Sequence, residues 1–372
     1  MTAFFIAPAA GKSVKKHFKN APTAQRTPGR CRSLARVAFL AKNKYNIILY
    51  EYLYLEGGNI LPQNKIKDLL VGSTGFVGGN LLAKHSFTMA VHSSNSADSY
   101  GTSPALCVYA GVPAAMFLAN ADPAADLAVM RGALESLNKI APERLVLISS
   151  IAVYADSKGK NETSPMDPDG LPAYGKNRLQ LEKWVREAFP AALIVRLPAL
   201  YGRGLKKNFL YDLRTIIPAM LRPEKYATLA GQSPLVRDGY TLTENGFYKL
   251  NGRVDAATLK AYFAGAEFNA LAFTDSRSRY QFYNLGRLWA DIETALAAGL
   301  TTLNLTTPAV TAAEVYTAVT GRADWKNELE KPPFDYDLHS RYAALLGGKG
   351  DYLCSKAAEL ADICDFMKGG EI

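Results

Sequence analysis

The stretch IKDLLVGSTGFVGGNLLAK, residues 66–84, decides the fold class of this 372-residue chain. It opens with a short apolar run that ends at Val71 and continues beyond Phe76 with apolar residues at helical spacing. Three glycines, Gly72, Gly75 and Gly78, lie between and just inside these two segments. We therefore predict a strand over 66–71, a tight glycine turn and a helix that begins near Phe76.

The spacing of the three glycines has a physical reason. Gly72 permits the tight exit from the strand, Gly75 lets backbone N–H groups approach a pyrophosphate, and Gly78 lets the helix pack closely. The amino terminus of the helix adds partial positive charge for phosphates. Any tight strand-to-helix turn can use such glycines, but the strand before and the helix after favour a dinucleotide site. The residues predicted to hold the cofactor here are Gly72, Ser73, Thr74, Gly75, Phe76, Val77 and Gly78.

Strand and helix patterns alternate after this turn. The further strands are predicted over 87–92, 106–110, 144–149 and 192–196, and the helices over 122–140, 174–189 and 208–221. The alternation weakens over 222–279 and resumes with a helix over 285–298, a strand over 302–305 and helices over 311–320 and 355–367. The pattern predicts an α/β protein with a Rossmann-type doubly wound parallel sheet. We predict an extension over 1–65, a cofactor domain over 66–221 and a smaller substrate-binding part over 222–372.

The formal net charge of +9 is concentrated at the amino terminus. Residues 1–66 contain eleven Lys or Arg and two Glu, whereas the remainder has 32 basic and 32 acidic residues. The main body therefore lacks the basic surface expected of a nucleic-acid-binding protein. We predict a basic, disordered extension over 1–65, although an organelle transit peptide also fits its composition and its segment 45–50 is strand-like.

Other residue patterns exclude several classes of protein. No apolar run approaches the roughly 20 residues needed to cross a bilayer, so we expect a soluble, cytoplasmic protein that does not bind membranes. The cysteines and histidines are scattered without metal-ligand spacing, so we predict reduced, structural cysteines and no metal site.

The end of the second predicted strand bears on the choice of cofactor. A site for NAD usually places Asp or Glu there to bind the adenosine ribose. This chain has His92, Ser93, Ser94 and Asn95 instead, and Ser93 and Ser94 are candidate cofactor contacts. The lack of a carboxylate slightly favours NADP, but no arginine marks a 2′-phosphate site, so NAD stays open.

Two further segments carry candidate chemistry. Ser149 and Ser150 end a buried strand, at the edge of a doubly wound sheet where ligands bind, although serines there also cap turns. Tyr174 and Arg178 are four residues apart on a predicted helix and therefore share a face. A fixed cation stabilises a phenolate, which suits a general acid or base, whereas a tyrosine at a helix start is more often a surface residue.

Together these segments resemble the extended short-chain dehydrogenase/reductase family, the NAD-dependent epimerase/dehydratase group, and within it the dTDP-4-dehydrorhamnose reductase branch. The resemblance extends from about Ile66 to the carboxyl terminus. Besides the glycine turn it rests on Ser149 to Tyr154, on the Tyr-Gly helix start at Tyr174, and on the motif RLPALYG at 196–202.

The resemblance implies roles for individual residues. Ser150, next to Ile151, holds the substrate carbonyl or hydroxyl, and Tyr174 exchanges a proton while the nicotinamide exchanges a hydride. The lysine of the family, which contacts the nicotinamide ribose, falls at Arg178, and arginine is not equivalent at a close-packed contact. Pro198 is implied to lie beside the cofactor. The resemblance also implies a homodimer formed through the helix that starts at Tyr174.

The second predicted strand and the strand over 106–110 are separated by about a dozen residues. This is too short for an ordinary helix and a further strand, so the cofactor half is abbreviated. The turn at Ala110 and Gly111 is then expected beside the cofactor.

Our first interpretation is an NAD(P)-dependent oxidoreductase or epimerase that acts on a sugar, with a nucleotide sugar as the favoured substrate and with Lys207, Asn208 and Arg279 as substrate contacts. A solvated basic turn explains Lys207 and Asn208 equally well. The alternative is a catalytically silent NAD(P)-binding sensor or scaffold, which Arg178 and the abbreviated cofactor half favour.

Overall fold

The computed structural model describes residues 4–6, 35–43, 46–54 and 66–369. The chain divides into two units, Met1–Lys65 and Ile66–Ile372. In the first unit β1 (Phe4–Ile6) pairs in parallel with β2 (Ala35–Asn43), which pairs antiparallel with β3 (Asn46–Tyr54). These segments are strands where the sequence predicts disorder, since their apolar and aromatic residues favour pairing. The rest of the predicted extension lies outside the described residues.

The second unit is built on a six-stranded parallel sheet. The second unit as a whole contains the strands β4 (Asp68–Val71), β5 (Met89–Val91), β6 (Leu106–Tyr109), β7 (Leu145–Ser150), β8 (Leu193–Leu197), β9 (Ala199–Tyr201), β10 (Met220–Leu221), β11 (Tyr240–Leu242), β12 (Tyr248–Leu250), β13 (Arg279–Tyr280), β14 (Phe282–Asn284), β15 (Thr302–Asn304) and β16 (Val310–Thr311). The large sheet has the order β15-β8-β7-β6-β4-β5. Small sheets of two or three strands join β9 to β14, β13 to β16, and β12 to β10 and β11.

Helices cover both faces of the large sheet. They are α1 (Phe76–Leu82), α2 (Met116–Ala121), α3 (Pro123–Ile140), α4 (Ala173–Ala188), α5 (Phe209–Thr215), α6 (Pro223–Gln232), α7 (Pro234–Gly239), α8 (Ala256–Gly265), α9 (Leu288–Ala297), α10 (Ala312–Thr320) and α11 (Lys356–Lys368). Neighbouring residues of β4 face opposite sides, since Leu69 packs in the cluster with α3 and α4 and Leu70 packs in the cluster with α1 and α9. The predicted Rossmann-type doubly wound sheet is confirmed.

The cofactor half is abbreviated, as the spacing predicts. A full doubly wound sheet has the order 3-2-1-4-5-6, whereas β5 here occupies the sheet edge with no strand beyond it in the described residues. Only a 3₁₀ turn, Ser96–Ser99, lies between β5 and β6. The missing strand and its helix leave the glycine turn nearer to one edge of the sheet than in a complete fold.

Several predicted elements differ in extent. The strand predicted over 87–92 is only Met89–Val91, and the helix predicted over 208–221 ends at Thr215. Ile216 has a left-handed φ of 62° and Pro218 follows, so the helix cannot continue, and Met220–Leu221 forms a strand. The weakly patterned region 222–279 contains three helices and a hairpin. Within 222–372, β14 and β15 return to pair with β9 and β8, while a domain division at 221 stays a prediction.

Candidate active site

The glycine turn meets the steric demands that its spacing predicts. Gly72 has a φ of 91°, and a Cβ there would lie 2.6 Å from the carbonyl carbon of Ala110. A Cβ on Gly78 would lie 2.1 Å from the Gly72 carbonyl oxygen, so α1 packs against the turn more closely than any other residue allows. Gly75 is less tight, with 3.2 Å to the same oxygen. Gly72 and Gly78 are thus required by the close packing of the turn on Ala110 and of α1 on the turn, which is the packing role of such glycines in dinucleotide-binding turns.

Hydrogen bonds fix the start of this turn to the neighbouring strand. The N–H groups of Gly72 and Ser73 both donate to the Val91 carbonyl, at 2.8 and 3.0 Å. Thr74 is exposed at the tip, while Phe76 and Val77 pack against the apolar cluster below. The first two amides are therefore structural, and the tip of the turn faces solvent.

The turns after β5 and β6 flank the glycine turn. Ser93 and Ser94 follow β5 after His92 and are exposed, and the Ser94 hydroxyl lies 2.9 Å from Nδ1 of His92. On the other side, Ala110 donates its N–H to the Val71 carbonyl, and Gly111 follows it. The structure thus brings Ala110 beside Gly72, while its place beside a cofactor stays a prediction, and Ser93 follows the Val91–His92 segment that holds the turn.

The serines at the end of β7 have different partners. The Ser149 hydroxyl donates to Oε1 of Glu182 at 2.6 Å, so it binds a buried side chain of the protein itself. Ser150 Oγ accepts the Ala152 N–H at 3.2 Å and caps the short 3₁₀ turn Ile151–Val153. Ser150 is half-buried and Ile151 is buried. The capping alternative therefore holds for Ser150, whose hydroxyl proton is still available to a ligand.

Tyr174 and Arg178 share a face of α4, as their spacing predicts. The guanidinium carbon of Arg178 lies 3.7 Å from the centroid of the Tyr174 ring. Arg178 is 4% exposed and donates to Oδ2 of Asp126 and to the Pro113 carbonyl, both at 2.6 Å. Asp126 also accepts from the Asn177 amide. The arginine thus joins α4 to α3 and to the loop after β6, and its polar atoms are occupied by the protein itself.

A buried ion pair next to these residues was missed by the sequence reasoning. Glu182 lies one further turn along α4 from Arg178 and pairs with Arg196 of β8 at 2.6 Å, and both side chains are 1% exposed. Burial alone lowers the pKa of Arg196, but the Glu182 carboxylate more than offsets this effect and the net pKa is raised. Arg196 also donates to the Tyr154 hydroxyl at 2.7 Å. The signal in the sequence was a charged residue inside an otherwise apolar strand.

The predicted substrate contacts are mostly engaged in the fold. Asn208 caps α5 by accepting the N–H groups of Leu210 and Tyr211, and its own amide donates to the Leu200 carbonyl. Lys207 donates to the Ala114 carbonyl at 2.8 Å, and burial lowers its pKa. Asn208 is therefore a helix cap, and Lys207 ties the loop after β6 to the loop before α5.

The remaining predicted contacts lie on different elements. Arg279 pairs with Asp335 at 3.0 Å and lies 3.6 Å from Asp337. Pro198 lies between β8 and β9, one residue beyond the carboxyl end of β8. Among the described residues no group of three His, Cys, Asp or Glu is placed to hold a metal ion. The helices of the described part include none that is long and apolar enough to cross a membrane.

The part of the chain that contains these residues is similar to a known protein family. Residues 69–217 match the family model described as the RmlD substrate binding domain. A search of curated proteins finds no match. The matched segment contains the glycine turn, Ser150 and the helix of Tyr174 and Arg178. The resemblance to the extended short-chain dehydrogenase/reductase family is confirmed.

Solved structures share the fold at low sequence identity. A dTDP-4-dehydrorhamnose reductase from Yersinia enterocolitica is 15% identical, with a TM-score of 0.53 over 82% of this chain and 99% of its own. A hypothetical dTDP-4-dehydrorhamnose reductase from Sulfolobus tokodaii is 12% identical, with a TM-score of 0.52 over 79% and 98%. The Bordetella bronchiseptica enzyme WbmG, solved with NAD and UDP, is 14% identical, with a TM-score of 0.51 over 82% and 96%. At these identities the similarity shows the fold.

Proposed function

We propose that this protein, which resembles the extended short-chain dehydrogenase/reductase family over residues 69–217, is an NAD(P)-dependent oxidoreductase or epimerase of a nucleotide sugar. The observation that carries the proposal is the turn at Gly72, Gly75 and Gly78, whose close packing tolerates no side chain at its first and third positions. Ser150 and Tyr174 stand on neighbouring elements at the carboxyl ends of the strands, where doubly wound sheets bind their ligands.

The residues present fit a dinucleotide. The tip of the turn at Thr74 and Gly75 would hold the phosphates, Ser93 and Ser94 would face the adenosine ribose, and Ala110, Gly111 and Pro198 would line the remaining length. A bound nicotinamide would supply hydride transfer. Both NAD and NADP are compatible with the exposed serines, because the four residues directly after β5, His92 to Asn95, include no carboxylate that would repel a 2′-phosphate.

The chain itself would orient the substrate and move its proton. Ser150 would donate its hydroxyl proton to a substrate oxygen while Oγ keeps its bond to the Ala152 N–H. Tyr174 would give or take the proton at that oxygen, because its ring is held by the Arg178 guanidinium on one face. Arg178 contributes here through Tyr174 and through the loop at Pro113.

One observation favours a second candidate, a catalytically silent NAD(P)-binding sensor or scaffold. The polar atoms of Arg178 already bind Asp126 and Pro113, so they do not replace the ribose contact of the family's lysine. In that case the glycine turn would bind cofactor and Tyr174 would have no proton to move.

Turnover separates the two candidates. We expect the protein to change the absorbance of NADPH or NADH when it is mixed with a 4-keto sugar linked to a nucleoside diphosphate. The Tyr174→Phe variant should lose at least 100-fold in turnover and keep its cofactor affinity, because the ring still packs under Arg178. Tyr100→Phe, an exposed tyrosine outside the site, is the matched control. Equal rates for Tyr174→Phe and the control would remove Tyr174 from the mechanism.

A further inference from the structure

A buried ion pair lies directly beside the carboxyl end of β7. Arg196 of β8 is the register partner of Ser149 in β7. Its guanidinium donates to Glu182 from Nε, at 3.0 Å to Oε1 and 3.2 Å to Oε2, and from Nη2 at 2.6 Å to Oε2. Glu182 lies on α4, which also carries Tyr174. The pair therefore joins the strand next to β7 to the helix of the candidate proton donor.

Ser149, the residue before Ser150, is bound to this pair through its hydroxyl. Its Oγ donates to Oε1 of Glu182 at 2.6 Å. A hydrogen bond to a carboxylate is about twice as strong as one between neutral groups. Leu145 and Leu147 pack in the cluster with α3 and α4, so Ser149 continues the face that α4 covers. Its hydroxyl is thus committed to the helix, whereas Ser150 stands on the opposite face.

The segment after Ser150 is bound to the same pair. Ser150 caps the 3₁₀ turn 151–153, and Tyr154 follows that turn directly. The Tyr154 hydroxyl accepts from Nη1 of Arg196 at 2.7 Å, and Tyr154 is 6% exposed. Ser150 and its turn are therefore held from both sides, before Ser150 by the Glu182 carboxylate and after the turn by the Arg196 guanidinium.

The ion pair itself is enclosed and saturated. Both side chains are 1% exposed. Each carboxylate oxygen of Glu182 and each guanidinium nitrogen of Arg196 takes part in at least one hydrogen bond. A buried ion pair often gives no more stability than well-packed apolar residues of the same size, because its two charges lose their hydration. What this pair adds is direction, since a fully satisfied network holds the groups that it binds at fixed positions.

We propose that Ser149 is a positioning residue that fixes the Ser150 hydroxyl relative to Tyr174. Its anchor is Glu182, which stands on the same helix as Tyr174, and Tyr154 supplies the second anchor. The inference rests on the proposed function, because it gives Ser149 a task in the proton transfer assigned to Ser150 and Tyr174. A misplacement of about 1 Å at a reacting group can lower a rate about 100-fold, so the loss of one anchor should be visible in turnover.

Amide hydrogen exchange measures the anchor without any turnover. In Ser149→Ala we expect the peptide that covers 149–154 to exchange about tenfold faster or more than in the wild-type chain, because the turn after Ser150 keeps only its second anchor. Ser136→Ala, which truncates a buried serine of α3, is the matched control and should leave the exchange of 149–154 unchanged.

Turnover of NADPH or NADH with a nucleotide-linked 4-keto sugar tests the role in the reaction. Ser149→Ala should lower kcat about tenfold or more and change the KM of the cofactor less than about twofold, since the anchor serves the reacting groups and not the glycine turn. Ser149→Thr keeps the hydroxyl and should restore most of the rate. Ser136→Ala should turn over as the wild type does.

A second background separates positioning from a general loosening of the fold. If Ser149 acts through Ser150, Ser149→Ala should cost less than about twofold in a chain that already carries Ser150→Ala, measured as residual turnover at high enzyme concentration. The inference is overturned if the cost is the same factor in both backgrounds, or if Ser149→Ala has the exchange or the kcat of the wild type.

Tyr154→Phe keeps the test decisive if Ser149→Ala folds poorly. It removes the second anchor and should lower kcat by about threefold or more, and a wild-type kcat would overturn the inference. The wild-type chain separates the two proposals. If it does not turn over at all, the proposed redox function fails together with this role, whereas wild-type turnover that Ser149→Ala leaves unchanged removes the role of Ser149 alone.

Discussion

The glycine turn and helix α4 lie at the same end of the sheet, yet the sequence predicts them unequally well. At the turn, the demand on Gly78 is local, because its nearest atoms belong to Gly72 and Ser73, and the demand on Gly72 comes only from backbone atoms of Ala110 and Gly111. On α4, the roles of Arg178 and Glu182 depend on Asp126 and Arg196, which lie 52 and 14 residues away in the chain. A site made of backbone can be recognised from spacing, whereas a site made of side chains depends on remote partners.

The side-chain network of α4 should show the largest effect. In Glu182→Gln the Arg196 guanidinium stays buried with its charge unpaired, so we expect a loss of about 3–5 kcal/mol in unfolding free energy. Denaturant unfolding followed by circular dichroism measures it. Glu187→Gln, an exposed position on the same helix, is the control. A loss no larger than that of Glu187→Gln would show that the pair does not stabilise this end of the sheet.

The glycine turn offers a sharper contrast between neighbours. Gly78→Ala puts a methyl group against the Gly72 carbonyl, so we expect a loss of about 1–3 kcal/mol in unfolding free energy. A Cβ on Gly79 has nothing within 4 Å, so Gly79→Ala should stabilise the helix by about 0.5–1 kcal/mol. Thermal melts of the two variants compare them directly. Equal melting temperatures would contradict the close packing of α1 on the turn.

Arg178→Lys tests whether the arginine serves the cofactor or the fold. A lysine cannot reach Asp126 and Pro113 together, so we expect a loss of about 1–2 kcal/mol in unfolding free energy. NADPH affinity should not improve. The exposed Lys176→Arg is the control. If Arg178→Lys instead tightened NADPH and raised turnover, the arginine would be a replacement for the family's lysine and not a structural clamp.

A pH-dependent effect is expected from Glu359, a buried carboxyl that contrasts with Glu182. Its Oε1 accepts from the Phe282 N–H and the Thr307 hydroxyl, while Oε2 is buried without a partner. Burial raises its pKa to about 8, so the folded state holds a proton that the unfolded state releases between about pH 4.5 and 8. Stability should therefore fall as pH rises through this window, and less so in Glu359→Gln. Melting temperatures from pH 5 to 9 measure the difference, and parallel curves would contradict the raised pKa.

Much of the fold could be predicted from local patterns. The strand, turn and helix at 66–84, the parallel sheet and the abbreviated cofactor half all follow from apolar periodicity and spacing. The early end of α5 could not be predicted from the sequence, because Ile216 takes a left-handed conformation that an isoleucine side chain gives no reason to expect. The clamp at Arg178 was also hidden, since only the folded chain brings Asp126 and the Pro113 carbonyl near it. The cap at Asn208 is local, because it bonds the N–H groups of Leu210 and Tyr211, and the interpretation as a substrate contact overlooked it.

The central claim is that the turn at Gly72 to Gly78 holds a dinucleotide, and titration with NADH and NADPH tests it most directly. Followed by nicotinamide fluorescence, the wild-type chain and Gly79→Ala should bind at least one of the two saturably with equal affinity. Gly78→Ala should bind that cofactor at least ten times more weakly. Absence of binding by the wild-type chain, or equal binding by Gly78→Ala, would contradict the account.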